Sequence, residues 1–161
     1  MSVTNVRKDT EQLTMTVTAE YDVTADRAWQ LWADPRQLER WWGPPAFPAT
    51  VEQHDLTPGG DVTYFMTGPD GEQYHGWWRV AAVDAPRSLE VVDGFADAKG
   101  VPDPTMPTTT MRVSLAEHEG GTRMEIRTVF DSPEDMERLV AMQMVDGMRE
   151  AVGQIDALLA A

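Results

Sequence analysis

The spacing of apolar residues changes along the chain from a period of two to a helical period and back. Over residues 13–21, apolar side chains alternate with threonines and a glutamate, which predicts a half-buried strand. Thr24 can cap a helix that runs to about Ala33, because its hydroxyl can accept from free N–H groups of the first turn. Asp34 followed by Pro35 then predicts a second, short helix.

A series of short strands is predicted after these two helices. Turn residues such as Gly59-Gly60, Pro69-Asp70-Gly71 and Glu119-Gly120-Gly121 separate segments in which every second residue is apolar. These segments cover residues 47–51, 62–66, 74–83, 89–92, 111–115 and 124–130. Together with residues 13–21, they predict an antiparallel sheet of six to seven strands.

The last segment of the chain has a helical pattern. Ser132 and Pro133 are suited to the start of a helix. The following apolar stripe consists of Met136, Leu139, Val140, Met144, Met148, Ala151, Ile155 and Leu159. This predicts one long helix from near Ser132 to about Leu159. Helices kept apart from an antiparallel sheet are typical of an α+β fold.

Composition and charge narrow the range of functions. The 161 residues, with 42% apolar and 25% charged side chains, predict one globular domain over residues 1–161, with a core of about 11–160. The net charge of −14 argues against nucleic acid and anionic membranes as partners. The absence of cysteine excludes disulfides and thiolate sites. No apolar run is long enough for a membrane span, and the polar first twelve residues favour a cytoplasmic location.

Polar residues show little sign of catalytic or metal chemistry. No serine lies in a G-x-S-x-G motif, and the three histidines lack the spacing of a zinc helix. The sequence therefore predicts no catalytic residue, metal site or cofactor. Glu52 and His54 share one strand face and are ordinary surface residues if it points to solvent. A β-bulge that turned them inward would instead make them an acid–base pair, but the alternation favours the surface interpretation.

Several short motifs occur in a fixed order over residues 13–159. They are Ala28-Trp29, Trp41-Trp42-Gly43-Pro44, Pro58-Gly59-Gly60, Gly68-Pro69-Asp70-Gly71, Phe130-Asp131-Ser132-Pro133-Glu134 and Met142-Gln143-Met144-Val145-Asp146-Gly147-Met148. This series resembles the START-like (helix-grip) superfamily, and within it the branch related to the C-terminal domain of the activator of Hsp90 ATPase. The resemblance implies a curved sheet that grips the last helix, with a cavity between them. It implies no single activity, because such scaffolds include lipid carriers, polyketide cyclases and co-chaperone domains.

Six tryptophans and ten methionines are many for a chain of this length. Most must pack in the core, but aromatic rings against flexible thioethers also suit an adaptable apolar pocket. The loop predicted over residues 93–108 is long enough to act as a lid over such a pocket. The residues predicted to bind a ligand are Trp41, Tyr64, Met66, Trp78, Phe95, Met106, Met144 and Met148.

Three functions follow, in order of preference. The first is binding of a hydrophobic or aromatic small molecule between the sheet and the last helix. The second is a cyclase-type enzyme, which needs a titratable group in the pocket, where the pattern places only Tyr64. The third is an interaction domain that activates an Hsp90-type ATPase. The family's co-chaperones use a further domain for this activation, and we expect this chain to lack it. The sequence leaves open whether the chain forms a homodimer and which ligand it binds.

Overall fold

A computed structural model describes residues 3–160 and confirms the α+β class. The elements are β1 (Val3–Asp9), β2 (Thr14–Tyr21), α1 (Ala25–Ala33), α2 (Pro35–Trp41), β3 (Ala49–His54), β4 (Asp61–Thr67), β5 (Gln73–Asp84), β6 (Ser88–Ala96), β7 (Thr109–His118), β8 (Gly121–Phe130), α3 (Pro133–Ala141), α4 (Met144–Val152) and α5 (Ile155–Ala160). Two short helices follow the first predicted strand, as expected.

All strands belong to one antiparallel sheet in the order β1-β2-β8-β7-β6-β5-β4-β3. Strands β3 to β8 follow one another as a meander, and β2 closes against β8. Irregular register marks β3 near Gln53 and β5 near Ala82. Such bulges increase the local twist, which allows a sheet of this width to curve around the helices.

The sheet has eight described strands, one more than the upper limit predicted. The additional strand is β1, which lies at the edge and pairs with β2. Among residues 5–9, Asn5, Arg7 and Lys8 are exposed, and Val6 is only partly buried. An edge strand with so little buried surface lacks the alternation by which the other strands are recognised.

The two short helices begin at the predicted caps. The Thr24 hydroxyl accepts a hydrogen bond from the Arg27 backbone N–H at 3.1 Å, and the Asp34 carboxylate accepts from the Arg36 N–H at 2.9 Å. Their buried faces bring Trp32 and Trp41 together, with ring centroids 4.7 Å apart in an edge-to-face arrangement. The helices therefore supply a rigid aromatic layer against the inner face of the sheet.

The prediction of a single long C-terminal helix was wrong in one respect: the segment is helical but consists of three helices. The first break lies at Met142 and Gln143, where Gln143 adopts a left-handed conformation with φ of 67°. The second lies at Gly153 and Gln154, where the Gln154 side chain donates to the carbonyl of Gly43 at 2.6 Å. The breaks let the segment follow the curved sheet. Within residues 3–160, no helix has the length and apolar character needed to span a bilayer.

Two groups of buried side chains form the core. The larger group contains five tryptophans, namely Trp29, Trp32, Trp41, Trp42 and Trp78, and the smaller consists of Met15, Phe130, Met136 and Leu139. Met148 of α4 packs against both groups but is itself only partly buried. The start of α4 therefore crosses a region between the two groups in which the core is incompletely filled.

The left-handed conformation of Gln143 predicts how substitutions at this residue change the stability of the protein. Gln143→Val is expected to lower the free energy of unfolding by about 1 to 2 kcal/mol, because a β-branched side chain fits poorly at positive φ. Gln143→Gly should be neutral or stabilising, since glycine adopts this conformation without steric cost. Urea unfolding measures both changes. Glu137→Val, an exposed change within α3, serves as control for helix propensity, and equal losses for the two valine variants would contradict the prediction.

Candidate functional site

A cavity of about 490 Å³ lies between strands β4 and β6 and the first two turns of α4. Its size is within the range of ordinary small-molecule sites. The walls are mostly apolar side chains: Trp42, Phe47, Met66, Phe95, Met144 and Met148. Tyr64 and Asp93 bring polar groups to the sheet side, and Thr109 lies at the start of β7. The arrangement is an apolar chamber with very few polar groups.

Aromatic side chains make the sheet side of the cavity rigid. Trp42, just after α2, packs edge-to-face on Trp78 with centroids 4.9 Å apart and on Tyr64 at 6.1 Å. The indole nitrogens of both tryptophans are buried and have no hydrogen-bond partner among the described residues. Tyr64 also packs on Trp78 with centroids 6.2 Å apart, so its ring lies against both indoles.

The polar centre of the cavity spans three strands. Tyr64 on β4 reaches over Gly76 on β5 and donates a hydrogen bond to the Asp93 carboxylate on β6 at 3.4 Å. Gly76 pairs with Tyr64, and a Cβ atom at Gly76 would collide with the tyrosine ring and hydroxyl. The missing side chain on the middle strand is what permits the contact between the outer two.

Asp93 is a carboxylate in an apolar environment. Burial raises its pKa from 3.8 to about 7, although the Tyr64 hydroxyl and the Gly94 backbone N–H act in the opposite direction. Burial and the neighbouring Asp93 raise the pKa of Tyr64 well above its ordinary value, so that Tyr64 stays protonated and donates. The side chain of Asp93 keeps some exposed surface because it lines the cavity. Near neutral pH this carboxyl group can hold or release a proton.

The helix side of the cavity comes from α4. Met144, Gly147 and Met148 line it and share the helix face that continues to the buried Ala151. A Cβ atom added at Gly147 would meet no atom within 4 Å. The glycine therefore borders open space, and no close strand contact requires it.

The rim of the cavity carries acidic side chains. Asp146 and Glu150 of α4 both border it and are exposed. Asp146 is paired with Arg149 at 3.1 Å. Arg138 of α3 donates to the carbonyl of Thr105 at 3.2 Å and does not line the cavity.

Five of the eight residues predicted to bind a ligand line this cavity: Tyr64, Met66, Phe95, Met144 and Met148. Trp41 and Trp78 are fully buried behind the wall. Met106 lies in the loop after β6, and its sulfur accepts a hydrogen bond from Arg138 at 3.0 Å. Because β6 continues to Ala96, Phe95 belongs to a strand and not to the predicted loop.

Our sequence interpretation left out several lining residues, such as Trp42 and Phe47, and Asp93 is the ionisable one on the sheet side. The predicted strand ended at Val92, which left Asp93 in a loop. The alternation of Leu89, Val91, Asp93 and Phe95 could have revealed it, since these residues share one face of β6. A single polar residue at an inward position of an apolar strand is the signal to follow.

Glu52 and His54 do not form an acid–base pair in this structure. The predicted alternative of a bulge is present in β3, but it separates the two side chains. Glu52 is exposed, whereas His54 Nε2 donates to the Trp32 carbonyl at 2.8 Å. His54 therefore ties the end of α1 to β3 and has a structural role.

The curved sheet, the helices on its inner face and the cavity between them define a START-like, helix-grip protein. A family model described as activator of Hsp90 ATPase homolog 1-like protein matches residues 22–160. The chain belongs to this family, which confirms the predicted resemblance. No curated protein matches the chain significantly.

Solved structures agree with this assignment. The chain is 50% identical to protein Ms6760 from Mycobacterium smegmatis, with a TM-score of 0.90 and coverage of 98% of this chain and 96% of that one. It is 48% identical to a protein from Arthrobacter aurescens, with a TM-score of 0.94 and coverage of 99% and 92%. A protein from Rhodobacter sphaeroides shares the fold at 21% identity, with a TM-score of 0.81 and coverage of 97% of both chains.

The raised pKa of Asp93 predicts a pH-dependent stability. The native state binds this proton more tightly than the unfolded chain, so the stabilisation is complete below about pH 4 and is lost as the pH rises through about 7. An asparagine cannot ionise, so Asp93→Asn does not lose this stability as the pH rises. The free energy of unfolding of Asp93→Asn minus that of the wild type should therefore increase by about 2 kcal/mol from about pH 5 to about pH 8. Urea unfolding across this range measures it, with the exposed change Glu117→Gln as control. A constant difference for Asp93→Asn would contradict the prediction.

The partial burial of Met144 predicts a small cost of truncation. Met144→Ala should cost less than about 2 kcal/mol, because the cavity already deprives this side chain of contacts on one side. Met111→Ala, at a position that is 1% exposed, should cost about 2 to 5 kcal/mol. Thermal or urea unfolding compares the two methionines directly. A cost for Met144→Ala equal to that for Met111→Ala would mean that Met144 packs in a solid core.

Proposed function

We propose that the protein binds a hydrophobic or aromatic small molecule in the cavity between the sheet and α4. The observation that carries this proposal is an apolar cavity of about 490 Å³ within the inner face of the fold. A void of this size lined by Phe95, Met144 and Met148 forfeits packing that a solid core would have. A ligand that fills it restores those contacts.

Burial of apolar surface supplies the driving force for such binding. Each square ångström removed from water contributes about 25 cal/mol, so a ligand that buries a few hundred square ångströms gains several kcal/mol before entropic costs. The rigid tryptophan side fixes one wall. The methionines of α4 adapt the other, because a thioether side chain has several low-energy conformations. This combination suits ligands that share a size and vary in shape.

One observation favours catalysis as a second candidate. Asp93 supplies the titratable group that a cyclase-type enzyme needs, and its pKa of about 7 suits proton transfer near neutral pH. Its partner Tyr64 donates to the carboxylate and holds it in place. Binding ranks first because it needs only the cavity, whereas activation of an Hsp90-type ATPase has support from the family description alone.

A neutral apolar dye and two variants at one position test the proposal. N-phenylnaphthylamine is expected to bind and to quench tryptophan fluorescence, since Trp42 lines the cavity. Gly147→Leu should weaken this binding at least about tenfold, because a leucine side chain occupies space inside the cavity face. Gly147→Ala should bind almost normally and unfold at higher denaturant concentration, since alanine is favoured over glycine in a helix by about 1 kcal/mol.

Comparing Gly147→Leu with Gly147→Ala shows whether dye binding is lost because the cavity is filled or because the fold is damaged. Both variants place a side chain on the same helix face, and only the longer one reaches across the void. Native mass spectrometry of freshly purified wild type should in addition show a bound small molecule that Gly147→Leu lacks. Undiminished dye binding by folded Gly147→Leu, or no dye binding by the wild type, would overturn the proposal.

A further inference from the structure

Apart from Tyr64, every ionisable side chain that lines the cavity is a carboxylic acid. They are Asp93 on the sheet side and Asp146 and Glu150 on the rim. Within residues 3–160, no lysine, arginine or histidine lines the cavity. A ligand that carries a carboxylate or phosphate would find no compensating positive charge there. Among the described residues, the neutral side-chain donors on the lining are limited to Thr109, Gln143, the buried Trp42 indole and Tyr64, whose hydroxyl already donates to Asp93.

Asp93 has acceptor capacity that the protein leaves unused. An ionised carboxylate offers about four acceptor positions. The Tyr64 hydroxyl takes one at the long distance of 3.4 Å, and the backbone N–H of Gly94 interacts with another. The remaining positions border the cavity, where burial makes an unfilled acceptor costly. A donor brought by a ligand would satisfy them.

We propose that the ligand is an apolar molecule with a hydrogen-bond donor at one end, above all a primary amine or ammonium group, and that Asp93 binds this group. This inference rests on the proposed binding function and adds the chemical class of the ligand. The apolar body lies against Met66, Phe95, Met144 and Met148, while the head group is directed to β6. Fatty acids and other apolar anions of the same size are rejected.

Tyr64 is a positioning residue for this carboxylate. It stays protonated and donates to Asp93, so it fixes the carboxylate without competing as an acceptor for the ligand. Gly76 makes this arrangement possible, because any side chain there would push the tyrosine away from Asp93. Tyr64 therefore orients the carboxylate across three adjacent strands, while the charge that selects a donor is that of Asp93 itself.

Three compounds with one apolar body and different head groups test the inference. Decylamine, decanol and decanoate are titrated calorimetrically at about pH 8.5, where an acid with the pKa of Asp93 is ionised. Decylamine is expected to bind at least about tenfold more tightly than decanoate, with decanol between them. Asp93→Asn should lower the affinity for decylamine at least about fivefold and leave the affinity for decanol within about twofold.

Two further variants separate Asp93 from other sources of negative charge. Glu150→Gln removes a rim carboxylate, and Glu117→Gln removes one on β7 that is roughly 26 Å along the strand from the cavity residue Thr109. Glu117→Gln should keep the ratio of decylamine to decanoate affinity within about twofold of wild type, and Glu150→Gln should lower that ratio less than Asp93→Asn does. If either variant loses the preference for decylamine over decanoate, that preference comes from the rim carboxylates or from the overall charge of −14. Such a result would overturn the role of Asp93.

The outcomes distinguish this inference from the function on which it rests. Equal binding of all three compounds, or tighter binding of decanoate, would overturn the donor preference and leave the cavity as a general apolar site. No binding of any compound or of N-phenylnaphthylamine would overturn both. If Asp93→Asn fails to fold, Tyr64→Phe provides the second measurement. It frees one acceptor position on Asp93 and should maintain or raise the preference for decylamine over decanol, and loss of that preference would count against the inference.

Discussion

Burial of one carboxylate at the edge of an apolar cavity is the constraint on which the site depends. An isolated charge in such a place is costly, and the protein meets that cost in two ways. Tyr64 donates to Asp93 across the intervening strand, and the pKa of the carboxyl group rises to about 7 so that it can take up a proton. The first solution requires Gly76, since only a strand without a side chain at this point lets the tyrosine pass.

The cavity itself follows from the mismatch between a curved sheet and short straight helices. Helices α1, α2 and α5 pack against the larger core group, and α3 packs against the smaller. Helix α4 has to connect them, and it begins after a left-handed residue, Gln143, that redirects the chain. Its first turns therefore cross the sheet with partly buried methionines and a glycine, and they leave the space that Asp93 borders.

Alternation along the strands predicted most of the fold and the walls of the site. It placed Tyr64 and Met66 on the inner face, and the helical stripe placed Met144 and Met148 opposite, because these periods reflect burial directly. The edge strand β1 could not be found this way, since it buries little. The break at Gln143 was equally hidden: an apolar stripe continues through a bend, and a glutamine gives no local sign of positive φ.

The polar centre was missed for a different reason. Our sequence interpretation ended β6 where the apolar residues ended, and so treated Asp93 as a loop residue. The structure shows β6 continuing to Ala96, with Asp93 and Phe95 in the alternation begun by Leu89. A functional residue breaks the very pattern by which its strand is recognised, because it is polar where packing alone favours an apolar side chain. Alternation alone could have placed Asp93 on the inner face, but its pairing with Tyr64, which joins residues 29 positions apart in sequence, is visible only in the structure.

Under the binding function proposed above, the division between walls and polar centre would allow this scaffold to vary its ligand. The apolar walls come from residues on which the packing of sheet and helices also depends, so changes there affect stability and binding together. The side chain of Asp93 is hydrogen-bonded to Tyr64 and borders the cavity, and its raised pKa means that folding gains nothing from its charge near neutral pH. A residue that weakens the fold in its ionised form, yet faces a cavity, is better explained by what it binds than by what it stabilises. Replacement at this one inward position of β6 would change the chemical class of ligand while the aromatic layer and the helices keep the fold.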